Sequence, residues 1–271
     1  MNQKLLKLNR IFSLLFIFAF GCANNFSYLP QCNFPESILE KGGLVKSDHE
    51  LNIEKNFIYK KNISCYEGSS KKIISPISYF VEQSRYKKEG ILLRDKKFRE
   101  SKIVIVDNKF NNISSENIKR IKRESRILNS KYLINSFNSE INFPLYFPSE
   151  GIISSEYGVK RFINNVPRNP HLGLDIASKT GTPIYSAEKG LIILARDFFY
   201  RGKNILIDHA YNFKTSYSHL DQILVNEGDF VERGEIIGYM GSSGRVTGPH
   251  LHFETIFLGE KLNPIYFLPK D

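Results

Sequence analysis

The chain has no stretch of about 20 consecutive apolar residues, no H-E-x-x-H pair, no internal repeat, and three cysteines among its 271 residues. The first absence argues against a permanent membrane-spanning helix. The second removes the helix-borne zinc protease pattern, in which a glutamate beside the histidines is the general base. The third excludes a solenoid or propeller, and the fourth leaves room for one intramolecular disulfide at most. No stretch resembles a nucleic-acid-binding module. With 41% hydrophobic residues, the chain can still bury a sizeable core, in one large or two modest domains.

The formal charge of +10 is unevenly spread. From Pro144 onward there are 13 Lys/Arg against 14 Asp/Glu, whereas residues 1–143 hold 25 against 14. The basic excess therefore belongs to the front half, where it would favour anionic wall polymers or lipid head groups. A composition rich in Lys, Asn and Ile, with its lysines on a solvated face, accounts for it equally well.

Lys4, Lys7 and Arg10 precede the apolar stretch Ile11 to Phe20 and then Gly21-Cys22. That is the layout of a secretory signal, expected over residues 1–21. Ala19-Phe20-Gly21-Cys22 resembles a bacterial lipobox, in which the cysteine is acylated, although Phe20 and the missing leucine depart from the commonest form. Acylated Cys22 would leave Cys32 and Cys65 as an even pair that an oxidising compartment can join.

Residues 22–41 are polar, contain Pro30 and Pro35, and read as a tether without a core. Across residues 42–106, short β-branched stretches alternate with polar breaks: Leu44-Val45, Phe57 to Tyr59, Lys72 to Ile74, Ile77 to Val81, Ile91 to Leu93 and Ile103 to Val106. They predict a small antiparallel β unit, a spacer or wall-contact module. In the connector 107–143, Ile118, Ile121, Leu128 and Tyr132 recur at helical spacing between Ser115 and Tyr132, with Glu116 and Lys131 at the ends the helix dipole prefers. Residues 144–271 hold 13 of the 18 glycines, and strand-like segments follow at 190–196, 204–209, 215–220, 222–225, 235–240 and 250–258. A mainly β chain with an all-β C-terminal domain is expected.

Five of the six histidines lie in that domain: His171, His209, His219, His250 and His252. His171 and Asp175 are four residues apart, and alternation along a strand puts His250 and His252 on one face with Leu251 on the other. Imidazole and carboxylate suit Zn²⁺, and a catalytic zinc keeps three protein ligands with a position open for water. His209, after the apolar strand Ile205 to Asp208, reads as a packing histidine, and His49 as an exposed one.

From about Phe147 to Phe267 these residues resemble the lysostaphin-type (LytM-type) metallopeptidases. The resemblance rests on His171-Leu-Gly-Leu-Asp175, Gly181-Thr-Pro-Ile184, Ser218-His-Leu220, Val231-Glu-Arg-Gly234, Gly241-Ser-Ser-Gly244 and Thr247-Gly-Pro-His-Leu-His-Phe-Glu254, in that order. It implies an antiparallel β-sheet metallopeptidase core with one Zn²⁺ held by His171, Asp175 and His252. His250 is then expected as general base, with His219 orienting water or stabilising the oxyanion; the sequence allows these two roles to be exchanged. The implied substrate is peptidoglycan, cleaved in its stem peptides or cross-bridges outside the cytoplasm by a membrane-anchored enzyme. A non-enzymatic activator of a wall amidase and a protein-directed metalloprotease are the alternatives. Two departures from the family pattern are Ala210-Tyr211-Asn212, where glycines are usual after His209, and the loops 164–170 and 197–203. Some exported members place a small immunoglobulin-like β unit and a helical connector ahead of the peptidase, a plan that residues 42–140 fit.

Overall fold

The computed structural model describes residues 31, 33–51, 62–87, 90–104, 113–136 and 139–270. The signal, Cys22, Cys32 and the expected strand at Phe57 to Tyr59 lie outside the described residues. In chain order the strands of the front half are β1 (Leu44–Ser47), β2 (Ile63–Glu67), β3 (Ser70–Pro76) and β4 (Glu100–Ile103), with a short helix α1 (Gln83–Lys87) before β4 and a longer one, α2 (Ser115–Tyr132), after it. Then follow β5 (Ile152–Ser155), β6 (Lys160–Ile163), β7 (Val166–Arg168), β8 (Leu174–Ala177), β9 (Pro183–Tyr185), β10 (Gly190–Phe198), β11 (Gly202–Asp208), β12 (Phe213–Ile223), β13 (Phe230–Val231), β14 (Ile236–Met240), β15 (His250–Phe257) and β16 (Glu260–Leu262).

The C-terminal half is built on a ten-stranded sheet of order β13-β10-β11-β12-β15-β8-β5, with β14 joining β12 to β9 and β16 flanking β15. Its pairings are antiparallel. Alternation sorts its residues: Leu174, Ile176, Leu251 and Phe253 are buried in the main core, which leaves Asp175, His250 and His252 for the opposite face. On that same face Leu206 and Ile256 pack under α2 through Tyr132, Ile127 and Leu128. The helix begins where the periodicity placed it, with the Ser114 side chain capping the Asn117 amide at 3.2 Å. Ile118, counted with its apolar stripe, is exposed instead, because the helix meets the sheet through its C-terminal half.

The front half departs from expectation in three respects. Among its described residues β1, β3 and β2 form a single three-stranded antiparallel sheet, without the second sheet of an immunoglobulin-like sandwich. The stretches at 77–81 and 91–93 are not strands; Ile77 and Leu93 instead pack with Val45 and Tyr86 in a small core. Phe34 belongs to the segment read as a coreless tether, yet it is buried against Phe143, Phe257 and Phe213, with ring centroids 5.3, 5.0 and 6.1 Å away. Aromatic side chains carry the largest apolar areas, so one of them suffices to fasten an otherwise polar segment. The composition change at Pro144 is therefore no packing boundary, since Leu44, Cys65 and Ile74 share one core with the sheet of the C-terminal half. Cys65 is buried and disulfide-bonded, and its expected pairing with Cys32 lies outside the described residues. Strand β4 crosses over to pair in parallel with β6, Glu100 against Lys160 through Ile103 against Ile163. No helix among the described residues is long and apolar enough to cross a membrane.

His209 is buried at the end of β11, where its Nδ1–H donates to the Lys189 carbonyl at 2.9 Å and Nε2 accepts from the Thr215 hydroxyl at 2.6 Å. His49 is exposed. Burial pushes His209 down to about 4 from the ordinary 6.5. The folded ring stays neutral where the unfolded one takes up a proton, so the associated stability is complete above about pH 6.5 and is lost as pH falls toward 4. A gap of that size corresponds to roughly 3 kcal/mol. Urea denaturation near neutral pH and near pH 4.5 should show a larger acid loss for the wild type than for His209→Gln, and equal losses would clear His209 of the acid sensitivity.

Candidate metal centre

Three side chains that alternation sends to one face of the sheet meet there. Asp175 on β8 and His252 on β15 are directly opposite in register, so their side chains emerge side by side. His171 precedes β8, held by backbone bonds from its amide to Val159 O and from the Gly158 amide to its own carbonyl. Gly173 lies between them because nothing larger fits: a Cβ at that position would come within 2.6 Å of the His252 ring.

The result is a triangle of ligand atoms. His171 Nε2 is 2.9 Å from Asp175 Oδ1 and 2.9 Å from His252 Nδ1, and His252 Nδ1 is 2.7 Å from Asp175 Oδ1. The far side of each ring fixes its tautomer. His171 Nδ1 faces the Glu156 carbonyl at 2.7 Å and must donate to it, which leaves Nε2 as a lone pair. His252 Nε2 faces the Glu254 carboxylate at 3.2 Å and donates to it, which leaves Nδ1 as a lone pair. Two bare ring nitrogens and a carboxylate oxygen then face one another with no hydrogen between them, an arrangement that only a cation or an added proton can hold together. The donor set fits a divalent metal such as zinc, with carboxylate and carbonyl contacts behind the imidazoles as metal-binding histidines commonly have.

The electrostatics point the same way. Burial opposes ionisation of Asp175, but the adjoining imidazoles of His171 and His252 outweigh it and hold the carboxyl well below the usual range. Burial pushes His171 down. Burial also works against charge on His252, and the carboxylates of Asp175 and Glu254 on either side of it more than reverse this, raising the ring, so that positive charge is favoured in the gap between the donors. Arg161 on β6 reaches Asp175 from the outer side, Nη2 to Oδ2 at 3.2 Å.

The other two expected residues flank the triangle. His250 donates from Nδ1 to the Gly248 carbonyl at 2.9 Å, and its Nε2 stands 3.9 Å from Asp175 Oδ1. His219 donates from Nδ1 to the Ser243 carbonyl at 2.9 Å, its ring 4.9 Å from that of His250 and 6.0 Å from that of His252. Burial, followed by the fields of His252 and His250, pushes His219 down to about 3, which keeps it neutral. Its backbone is in the left-handed region, φ 70. There β12 leaves β15, with Ser218 its last partnered residue, and takes up β14 from Leu220. An irregular position in a ladder re-aims its side chain, and here it aims an imidazole at the cleft.

Behind the triangle lies a set of charges that motif reading passed over. Glu254 receives Arg201 through both carboxylate oxygens, at 2.7 and 3.1 Å, and Lys261 at 2.5 Å. Burial works against its charge, yet Arg201 and Lys261 keep its carboxyl well below the ordinary range. Glu254 was within reach of sequence reasoning, because two residues beyond His252 on a strand means the same face. Arg201 and Arg161 carry no such local signal. If Glu254 fixes the tautomer of His252, Glu254→Gln should weaken divalent metal binding about 10- to 100-fold. Titration against a chromogenic chelator measures this, and unchanged affinity would mean that the tautomer is set elsewhere.

Residues 169–264 match the model of peptidase family M23. The peptidoglycan DD-endopeptidase ShyA of Vibrio cholerae is 42% identical over 112 residues, 41% of this chain and 26% of that protein. The DD-carboxypeptidase/endopeptidase Mpg of Neisseria gonorrhoeae is 34% identical over 142 residues, 52% of this chain and 31% of that protein. The chain thus spans no more than about a third of the length of these curated relatives. A crystal structure from Pseudomonas aeruginosa assigned to peptidase M23 matches with a TM-score of 0.64 at 26% identity, covering 85% of this chain and 95% of that one. With the triangle of His171, Asp175 and His252 inside the matched segment, residues 169–264 of this chain carry a peptidase family M23 domain.

Proposed function

We propose that the chain is a zinc-dependent endopeptidase of the cell envelope, hydrolysing peptide bonds in the stem peptides or cross-bridges of peptidoglycan, with residues 144–271 as its catalytic unit. The convergence of three lone-pair donors within 2.9 Å of one another supports this reading most strongly. His171, Asp175 and His252 would hold the ion. Zinc there would polarise the scissile carbonyl and lower the pKa of water at the site. His250 is the general base: its Nδ1 is committed to Gly248, and its Nε2 opens toward the triangle as a proton acceptor. The imidazolium so formed can return its proton to the leaving amine. His219, kept neutral and held by Ser243, orients the water or supports the developing oxyanion. An exported protein tethered through acylated Cys22 would present this site to the wall.

Incubating isolated sacculi with the purified chain should release muropeptides, and a chelator should abolish that release. Release that survives metal removal would overturn the zinc reading. Cleavage of proteins alone, or stimulation of an amidase without release, would replace it with the corresponding alternative. Metal analysis separates the roles. His171→Ala, Asp175→Ala and His252→Ala should lose the ion, whereas His250→Ala should keep it and lose about 10²- to 10⁴-fold in rate. Loss of metal in the His250 variant would move that residue into the ligand set.

A further inference from the structure

The wall of the cleft beside the metal centre carries more positive charge than the centre uses. Strands β6 and β7 form a hairpin whose two turn residues, Asn164 and Asn165, both have positive φ, 50 and 64. That is the turn favoured in two-residue hairpins, and it fixes the register. The register sets Arg161 directly opposite Arg168, and like charges placed opposite one another destabilise a strand pair. A third guanidinium, Arg245, stands 4.4 Å over the ring of Tyr200, and the charges of Arg161 and Arg168 both reach it and repel it. All three line the same cleft as His171, His219, His250 and His252.

Carboxylates on the cleft wall do not balance this cluster. Asp175 belongs to the metal triangle and Glu254 to Arg201 and Lys261. Glu100 is exposed on β4, opposite Lys160. Among the described residues no carboxylate lies within ion-pairing distance of Arg168 or Arg245, and Arg161 has only the Asp175 oxygen that the triangle does not use. Guanidinium forks bind planar carboxylates with two parallel hydrogen bonds, and Arg245 is already oriented by its stack on Tyr200.

We propose that Arg161, Arg168 and Arg245 form a subsite that takes a free carboxylate of the peptide being cleaved, either its C-terminal carboxylate or that of an acidic side chain. The inference rests on the peptidase reading for the identity of the ligand as a peptide. Arg161 places the subsite next to the reacting centre, since the same guanidinium touches Asp175. The enzyme would then select substrates by charge as well as by backbone.

Equilibrium binding to the metal-loaded full chain tests this, using three N-acetylated tetrapeptides methylated at their internal amides to resist cleavage. One carries a free C-terminal carboxylate and no acidic side chain, one a C-terminal amide and a glutamate, and one a C-terminal amide and no carboxylate. At least one of the acidic peptides should bind about tenfold or more tightly than the neutral one, and which of them does so identifies the source of the carboxylate. The advantage should shrink as salt is raised, and should fall below about threefold in Arg168→Ala and in Arg245→Ala variants that retain their metal and their melting temperature. Equal affinity for all three peptides, or an advantage that survives both substitutions, overturns the subsite. Because binding is read without turnover, the two readings fail separately: a charge preference without sacculus digestion counts against the peptidase, and digestion without a charge preference counts against the subsite.

Discussion

Three electron-pair donors pressed together inside a protein repel one another and shed the water that would have solvated them. Everything around His171, Asp175 and His252 serves to keep them in that unfavourable arrangement until a cation relieves it. The apolar face of the same strands supplies the restraint. Leu174, Ile176, Leu251 and Phe253 are each no more than 2% exposed, and burying a side chain of this kind is worth about 1.5–3 kcal/mol. Slipping β8 against β15 by one residue would turn this whole set toward water, so the register that opposes Asp175 to His252 is held by the core and not by the polar site. The Glu156 carbonyl and the Glu254 carboxylate finish the arrangement by withdrawing the ring protons to the outer side.

Backbone irregularity collects close to this constraint. His219 lies in the left-handed region where β12 exchanges one partner strand for another, and the exchange is what gives its ring a different direction from its neighbours on β12. Ala210, Tyr211 and Asn212 have positive φ in succession, 76, 47 and 59, where the family usually has glycines. Conformations of this kind cost about 1–3 kcal/mol each for ordinary residues and persist when the surroundings impose them. Here the surroundings can be named. The Phe213 amide bonds Ala210 O, the Leu258 amide bonds Asn212 O, and the Asn135 carboxamide accepts from the Asn212 amide at 3.1 Å. The hairpin survives the loss of glycine because β15 and the segment after α2 hold its turn from two sides.

What could be read from the sequence follows the range of the interactions. Alternation is local, so the shared face of His250 and His252 and the inward turn of Leu251 were legible, as was α2 from its spacing and the charges of Glu116 and Lys131 at its ends. The four-residue gap from His171 to Asp175 was legible only as a pair of ligand types, because His171 lies outside β8 and owes its position to backbone bonds with Gly158 and Val159. Arg161 joins the site through a hairpin register, Phe34 joins the core through three distant rings, and β4 finds β6 across some 60 intervening residues. No short pattern announces contacts of this kind. Among the described residues of the front half, Ile77 and Leu93 depart from expectation for a related reason: they have strand composition, yet their burial is met by loop packing around Tyr86.

The front half is tied to the metal centre by a continuous path, and this bears on whether it is a mere spacer. Tyr132, the last residue of α2 and its buried one, accepts a hydrogen bond from Arg201 at 3.3 Å. Arg201 also clamps Glu254, and Glu254 takes the outer proton of His252. Tyr132 and Glu254 are buried and Arg201 and His252 half-buried, where an unpaired charge costs more than at the open surface. Undocking the helix would therefore cost more than the apolar contacts of Ile127 and Leu128. It would also let water reach Arg201, loosen its hold on Glu254 and relax the tautomer that keeps Nδ1 of His252 free for a metal. A connector that reaches a ligand through two hydrogen-bonded side chains is part of the site's support, and the boundary drawn from composition at Pro144 cuts across it.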